Sequence, residues 1–135
     1  MSDGIACVMG RRLTLVIVAI MFGISCHRPP NASSGVKVEF QIKPQPVRVG
    51  QVEISFTLTD TATHPVNGAQ ITVEADMSHA GMGAVFAQSK EVGPGQYRSR
   101  LFLGMAGDWV VLLHGTLPNG EKLERQFNVG DVRPN

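Results

Sequence analysis

Beyond residue 26 the chain has no cysteine; Cys7 and Cys26 are its two thiols. No intrachain disulfide can therefore form in the remainder, and whatever folds there must be held by an ordinary apolar core. Charge of one sign is missing as well. Twelve basic residues face eleven acidic ones, a formal net charge of +1, so there is no surplus positive field to collect phosphates and a nucleic-acid binder is disfavoured. Aromatic residues make up only 6% of the chain, with one Trp and one Tyr. Long apolar runs are lacking too: the run from Leu13 to Ile24 is shorter than the ~20 residues a spanning helix needs. A length of 135 residues suits one domain and is too short for a multidomain enzyme.

What is present begins with a leader. Arg11 and Arg12 precede the run Leu13 to Ile24, which ends at Ser25 and Cys26. A basic start, a short apolar stretch and a small residue at its end read as an export signal. Met9 would give that signal a more compact start than Met1. The stretch Gly23-Ile24-Ser25-Cys26 resembles the lipobox of bacterial lipoproteins, in which the Cys becomes the lipidated first residue of the mature chain. That resemblance implies an exported, membrane-anchored lipoprotein facing the periplasm or cell exterior, held in the membrane by a lipid on Cys26. On the residues alone, an uncleaved anchor, or cleavage that leaves Cys26 as a free thiol, stays open. Removing residues 1–25 takes away Arg11, Arg12 and Asp3, and the remaining charges cancel.

Residues 26–35 are rich in Pro, Ser and Asn without periodicity, so they read as a flexible tether. The folded domain is expected over 36–130, with a short tail at 131–135. No window from Val36 onward carries a helical period. Short alternating segments punctuated by Gly, Pro, Asn and Asp appear instead, and they predict strands at Val36–Ile42, Gln51–Thr59, Ala69–Ala75, Ala84–Val92, Gln96–Leu103, Asp108–His114 and Glu121–Val129. Gly93-Pro94-Gly95 and Asn119-Gly120 supply the tightest turn signals. About seven short strands in roughly one hundred residues predict an all-β, immunoglobulin-like antiparallel sandwich. Trp109 is expected in its core.

One stretch is chemically unusual: Asp76-Met77-Ser78-His79-Ala80-Gly81-Met82-Gly83. Past Cys26 the methionines are Met77, Met82 and Met105, and none falls inside an expected strand. If consecutive strands alternate in direction, the loop holding Met77, His79 and Met82 shares an end of the sandwich with the loop holding Met105. His64 and His114 would lie at the opposite end. Thioether sulfur and imidazole together form a soft ligand set that favours Cu(I), whereas Zn(II) and hard cations call for thiolates, more imidazoles or carboxylates. Methionine also fills irregular gaps well, so the same residues fit a plug over the open end of a sandwich.

Asp76-Met77-Ser78-His79-Ala80-Gly81-Met82, then Val92-Gly93-Pro94-Gly95-Gln96-Tyr97, then Met105-Ala106-Gly107-Asp108-Trp109, in this order and spacing, resemble the YtkA-like domain, a relative of the periplasmic domain of FixH proteins. The resemblance runs from about Val38 to Val129. It implies a small exported or membrane-tethered β-sandwich associated with copper handling, heavy-metal efflux or cytochrome oxidase assembly. By motif it carries over Met77, His79, Met82 and Met105 as metal-site positions.

Two functions follow as expectations. The first is a tethered module holding copper, as Cu(I), loosely enough to pass it on, with a metal-transport or oxidase-assembly protein as partner. The second is a metal-free interaction domain that docks on a membrane complex. An enzyme is not expected: no thiol remains in the folded part, and no serine has a His and acid at recognisable spacing.

Overall fold

The computed structural model describes residues 35–79 and 83–135. The leader and Cys26 lie outside them, as does Met82. The fold is the expected all-β sandwich. Among the described residues there are eight strands, β1 (Lys37–Lys43), β2 (Gly50–Thr59), β3 (Gln70–Met77), β4 (Val85–Gln88), β5 (Lys90–Gly93), β6 (Gln96–Leu103), β7 (Gly107–Thr116) and β8 (Lys122–Val132). They form two four-stranded sheets, ordered β1-β2-β6-β5 and β4-β3-β7-β8, in which every strand pairing is antiparallel.

Period-two patterning explains the layers. On β2 the side chains of Val52, Ile54, Phe56 and Leu58 are all buried, and on β6 those of Tyr97, Ser99, Leu101 and Leu103. Ile71, Val73 and Ala75 of β3 and Trp109, Val111 and Leu113 of β7 meet them from the second sheet. Each fully buried aliphatic side chain is worth about 1.5–3 kcal/mol, which lets a chain of this size fold without a disulfide. Phe40 and Phe127 stack with ring centroids 4.3 Å apart and close the sandwich between β1 and β8. Arg125 Nη2 reaches across the same side to donate to the Val36 carbonyl at 2.9 Å.

Strand ends shift by a residue or two from the sequence reading, and three differences change the pairing. The segment expected as one strand from Ala84 to Val92 is two: β4 pairs with β3 and β5 with β6, and the chain changes sheets at Ser89. The third strand does not stop at Ala75 but runs on to Met77, because Asp76 and Met77 find partners in Val110 and Trp109. Met77 is thus a strand residue, not a loop residue. The last strand passes Val129 to reach the buried Val132, with a register shift opposite Gly107 and Asp131 at positive φ (54°). Beyond it, backbone bonds join Val49 N to Arg133 O (2.8 Å) and Arg133 N to Val47 O (3.0 Å).

At the end where β2 turns toward β3, Tyr97 is the keystone. Its ring is buried and stacked on Phe56, and its hydroxyl donates to the Val66 carbonyl (2.8 Å) while accepting from the Ala69 N–H (3.0 Å). Burial pushes the phenol pKa up. Gly95 fits beneath this loop at φ +64°, where a Cβ would lie 2.7 Å from the Leu58 carbonyl oxygen. Asp60 shapes the same loop by accepting the Ala62 and His64 N–H groups, both at 2.8 Å.

Candidate functional site

The register of β3 against β7 builds the opposite end. Pairing of Met77 with Trp109 puts the β3–β4 loop beside the β6–β7 loop, the convergence expected from strand alternation. The ladder continues one residue beyond the strand: the Ser78 N–H donates to the Asp108 carbonyl at 3.0 Å, and its Oγ approaches the same oxygen at 3.2 Å. Ser78 Oγ also lies 3.3 Å from His79 Nδ1. That contact engages Nδ1, and the ring's second nitrogen, Nε2, is the other donor or acceptor of the imidazole.

From the other loop, the buried Trp109 donates its indole N–H to the Met105 carbonyl at 3.0 Å. A core side chain therefore fixes the backbone that carries Met105. Gly107 has φ +129°, and a Cβ there would lie 3.2 Å from the Met77 Cε. The thioether end of Met77 thus rests against Gly107, where a larger residue would displace it. Asp108 does not face the loop as a free carboxylate, because its Oδ1 accepts the Asp131 N–H at 3.0 Å.

Of the four residues singled out as metal ligands, Met77, His79 and Met105 come to this one end. Met77 is half-buried and packs on the core, His79 is exposed, and Met105 keeps 46% of its surface. Met82 lies in the segment outside the described residues. His64 and His114 sit elsewhere, His64 Nδ1 at 3.4 Å from Asp60 Oδ2 and His114 Nε2 at 3.4 Å from Glu74 Oε2. Among the described residues no group of three or more His, Cys, Asp and Glu could hold a metal ion. A metal at this end would thus draw on thioethers and a single imidazole, a donor set suited to Cu(I) and poorly suited to Zn(II), Mg(II) or Ca(II). Sequence reasoning did not find the Trp109–Met105 bond.

Large apolar side chains are exposed on both sheets. Phe86 on β4, Phe102 on β6 and Met105 are among the large apolar side chains left exposed, at 59%, 61% and 46%.

Comparison with known proteins agrees with this architecture. The profile of a family described as YtkA-like matches residues 31–114, ending before β8. The crystal structure of a DUF4426 family protein from Pseudomonas aeruginosa superposes with a TM-score of 0.57 at 13% identity, covering 75% of this chain and 93% of that one. At that identity the likeness concerns the fold. No protein of curated function matches the chain.

Proposed function

The chain belongs to the YtkA-like family, and on that premise we propose that it is an extracytoplasmic, membrane-tethered module that binds copper as Cu(I) and hands it to a membrane-bound transport or oxidase-assembly partner. One observation carries the reading: the β3–β7 register brings Met77, His79 and Met105 to one end of the sandwich. Met82, four sequence positions beyond Ser78 and outside the described residues, is the fourth member of the proposed set.

The site's own residues supply softness and mobility in different amounts. Met77 is braced by Gly107 and the core, so it offers a fixed sulfur. Met105 is exposed but sits on backbone clamped by Trp109. His79 offers Nε2 from an exposed position. Few neutral donors, most of them open to solvent, favour a site that releases its ion readily, as a carrier must. Absence of thiolates suits an oxidising compartment, where thiols are lost to oxidation. No catalytic step is part of this proposal. Its test is anaerobic Cu(I) titration against a competing chelator, comparing the wild type with His79→Ala and Met82→Ala. Weakened binding in both variants supports it, and binding untouched by either overturns it.

A second reading has one observation in its favour. Phe102 and Met105, at and just beyond the end of β6, expose apolar surface, as a metal-free docking domain would. Crosslinking in intact cells separates the two: a partner captured equally in metal-depleted cells and with His79→Ala favours docking without metal.

A further inference from the structure

The outer faces of the two sheets carry opposite charge. On the β3/β7 sheet, Glu74, Asp76 and Glu124 outnumber Lys122. On the β2/β6 sheet the balance reverses. Lys43, Glu53 and Arg100 form one cross-strand row, and Lys90 stands opposite Arg98 in the next. Glu53 is shared between Arg98 (3.3 Å) and Arg100 (3.4 Å), so one carboxylate serves both guanidinium groups. The face's other acid, Glu39, is taken by Lys37 at 2.8 Å. Glu91, at the rim, is turned to the Gly68 N–H. Positive charge is left over on an open surface, with Arg98 and Arg100 side chains 50% and 66% exposed.

Two more features share this face. Phe102 and Val92 expose 61% and 52% of their surface beside those cations. Depressions of about 770 Å³ and 300 Å³ flank Arg100, one toward Lys43 and one toward Lys90. Cations with interleaved exposed apolar side chains on a broad sheet match the chemistry of an anionic bilayer surface, where basic groups meet phosphates and aromatic rings enter the headgroup layer. The chain also enters the fold at β1, an edge strand of this same sheet.

We propose that the outer face of the β1-β2-β6-β5 sheet lies on anionic phospholipid, through Lys43, Lys90, Arg98 and Arg100, with Phe102 at the headgroup layer. This rests on the tethered reading above, which holds the domain within reach of the bilayer. Lying on that face leaves the acidic β4-β3-β7-β8 sheet turned to solvent, with the Met/His end open sideways to a partner in the same membrane.

The experiment footprints lysines by amine labelling and mass spectrometry, on the full chain in nanodiscs of phosphatidylglycerol or of phosphatidylcholine. Lys43 and Lys90 are expected to label at least threefold more slowly in phosphatidylglycerol, while Lys122 on the opposite sheet labels equally in both. An Arg98→Gln/Arg100→Gln variant, checked for folding by circular dichroism, should lose that protection, and 0.5 M salt should weaken it. Equal labelling of Lys43 and Lys90 in the two discs overturns the proposal, as does protection by polyglutamate without protection by phosphatidylglycerol. Co-elution separates the two readings. A chain that stays with both discs yet shows no protection keeps its tether and loses this face. One that joins only phosphatidylglycerol, with protection, keeps this face and loses the tether. One that joins neither overturns both.

Discussion

Replacing Trp109 by Phe keeps an aromatic ring in the core and removes the indole N–H that donates to the Met105 carbonyl at 3.0 Å. Trp109 is 1% exposed, so the smaller ring leaves space that its neighbours fill only in part. About 40 Å³ of lost volume at ~24 cal/mol per Å³ of cavity costs ~1 kcal/mol. The broken hydrogen bond costs about 1 kcal/mol more. Together the loss is about 2 kcal/mol, which at a urea m-value of ~2 kcal/mol/M moves the unfolding midpoint down by about 1 M without changing the slope. The loop should loosen as well, raising amide exchange at residues 105–107, and Cu(I) affinity should fall severalfold although no donor atom has been touched. Met105→Leu is the counterpart. It removes the sulfur from a side chain 46% exposed, so stability should stay within about 0.5 kcal/mol of wild type while copper binding weakens. A Trp109→Phe midpoint within about 0.3 M of wild type, or unchanged exchange in the loop, would refute the claim that the indole braces the site.

Other perturbations test the frame that holds the loops in place. Tyr97→Phe keeps the stack on Phe56 but strands the Ala69 N–H and the Val66 carbonyl; a loss of about 1–3 kcal/mol in chemical unfolding is expected, and a loss under about 0.5 would show that water replaces the hydroxyl. Gly115→Ala should destabilise by about 2–3 kcal/mol, because a Cβ at that position overlaps the Gln70 carbonyl oxygen and lies 2.8 Å from Ile71 Cα; a soluble, equally stable variant would mean that β3 and β7 can part locally. Asp60 has its pKa lowered, chiefly by the His64 N–H it accepts. Its contribution to stability is therefore present above the unfolded carboxylate range near pH 4 and lost as pH falls through the lower folded value. Asp60→Ala should flatten that acid limb of the stability curve, and an unaltered limb would assign it to other carboxylates.

Local pattern made part of this protein legible and long-range pairing hid the rest. The strand Gln96–Leu103 was readable to the residue because Tyr97, Ser99, Leu101 and Leu103 alternate with Arg98, Arg100 and Phe102 between a Gly-Pro-Gly turn and a Gly-rich loop. Splitting of Ala84–Val92 into β4 and β5 was not readable, since it depends on which neighbour each half meets, and no single segment encodes its partner. The same limit explains Met77: its residue type suits a loop, but Trp109 across the sheet extends the strand to include it. For the site, residue types and strand alternation were enough to place Met77, His79 and Met105 at one end. The clamp from Trp109 to the Met105 backbone needed coordinates, because a hydrogen bond to a carbonyl leaves no mark on residue identity.

Whether these loops form one soft-metal site is decided by anaerobic Cu(I) competition with the full chain and its Met77→Leu, His79→Ala, Met82→Leu and Met105→Leu variants. A shared site requires one Cu(I) per chain in the wild type, with affinity lowered tenfold or more in each variant. Copper binding that all four substitutions leave intact, or no binding by the wild type, would contradict it.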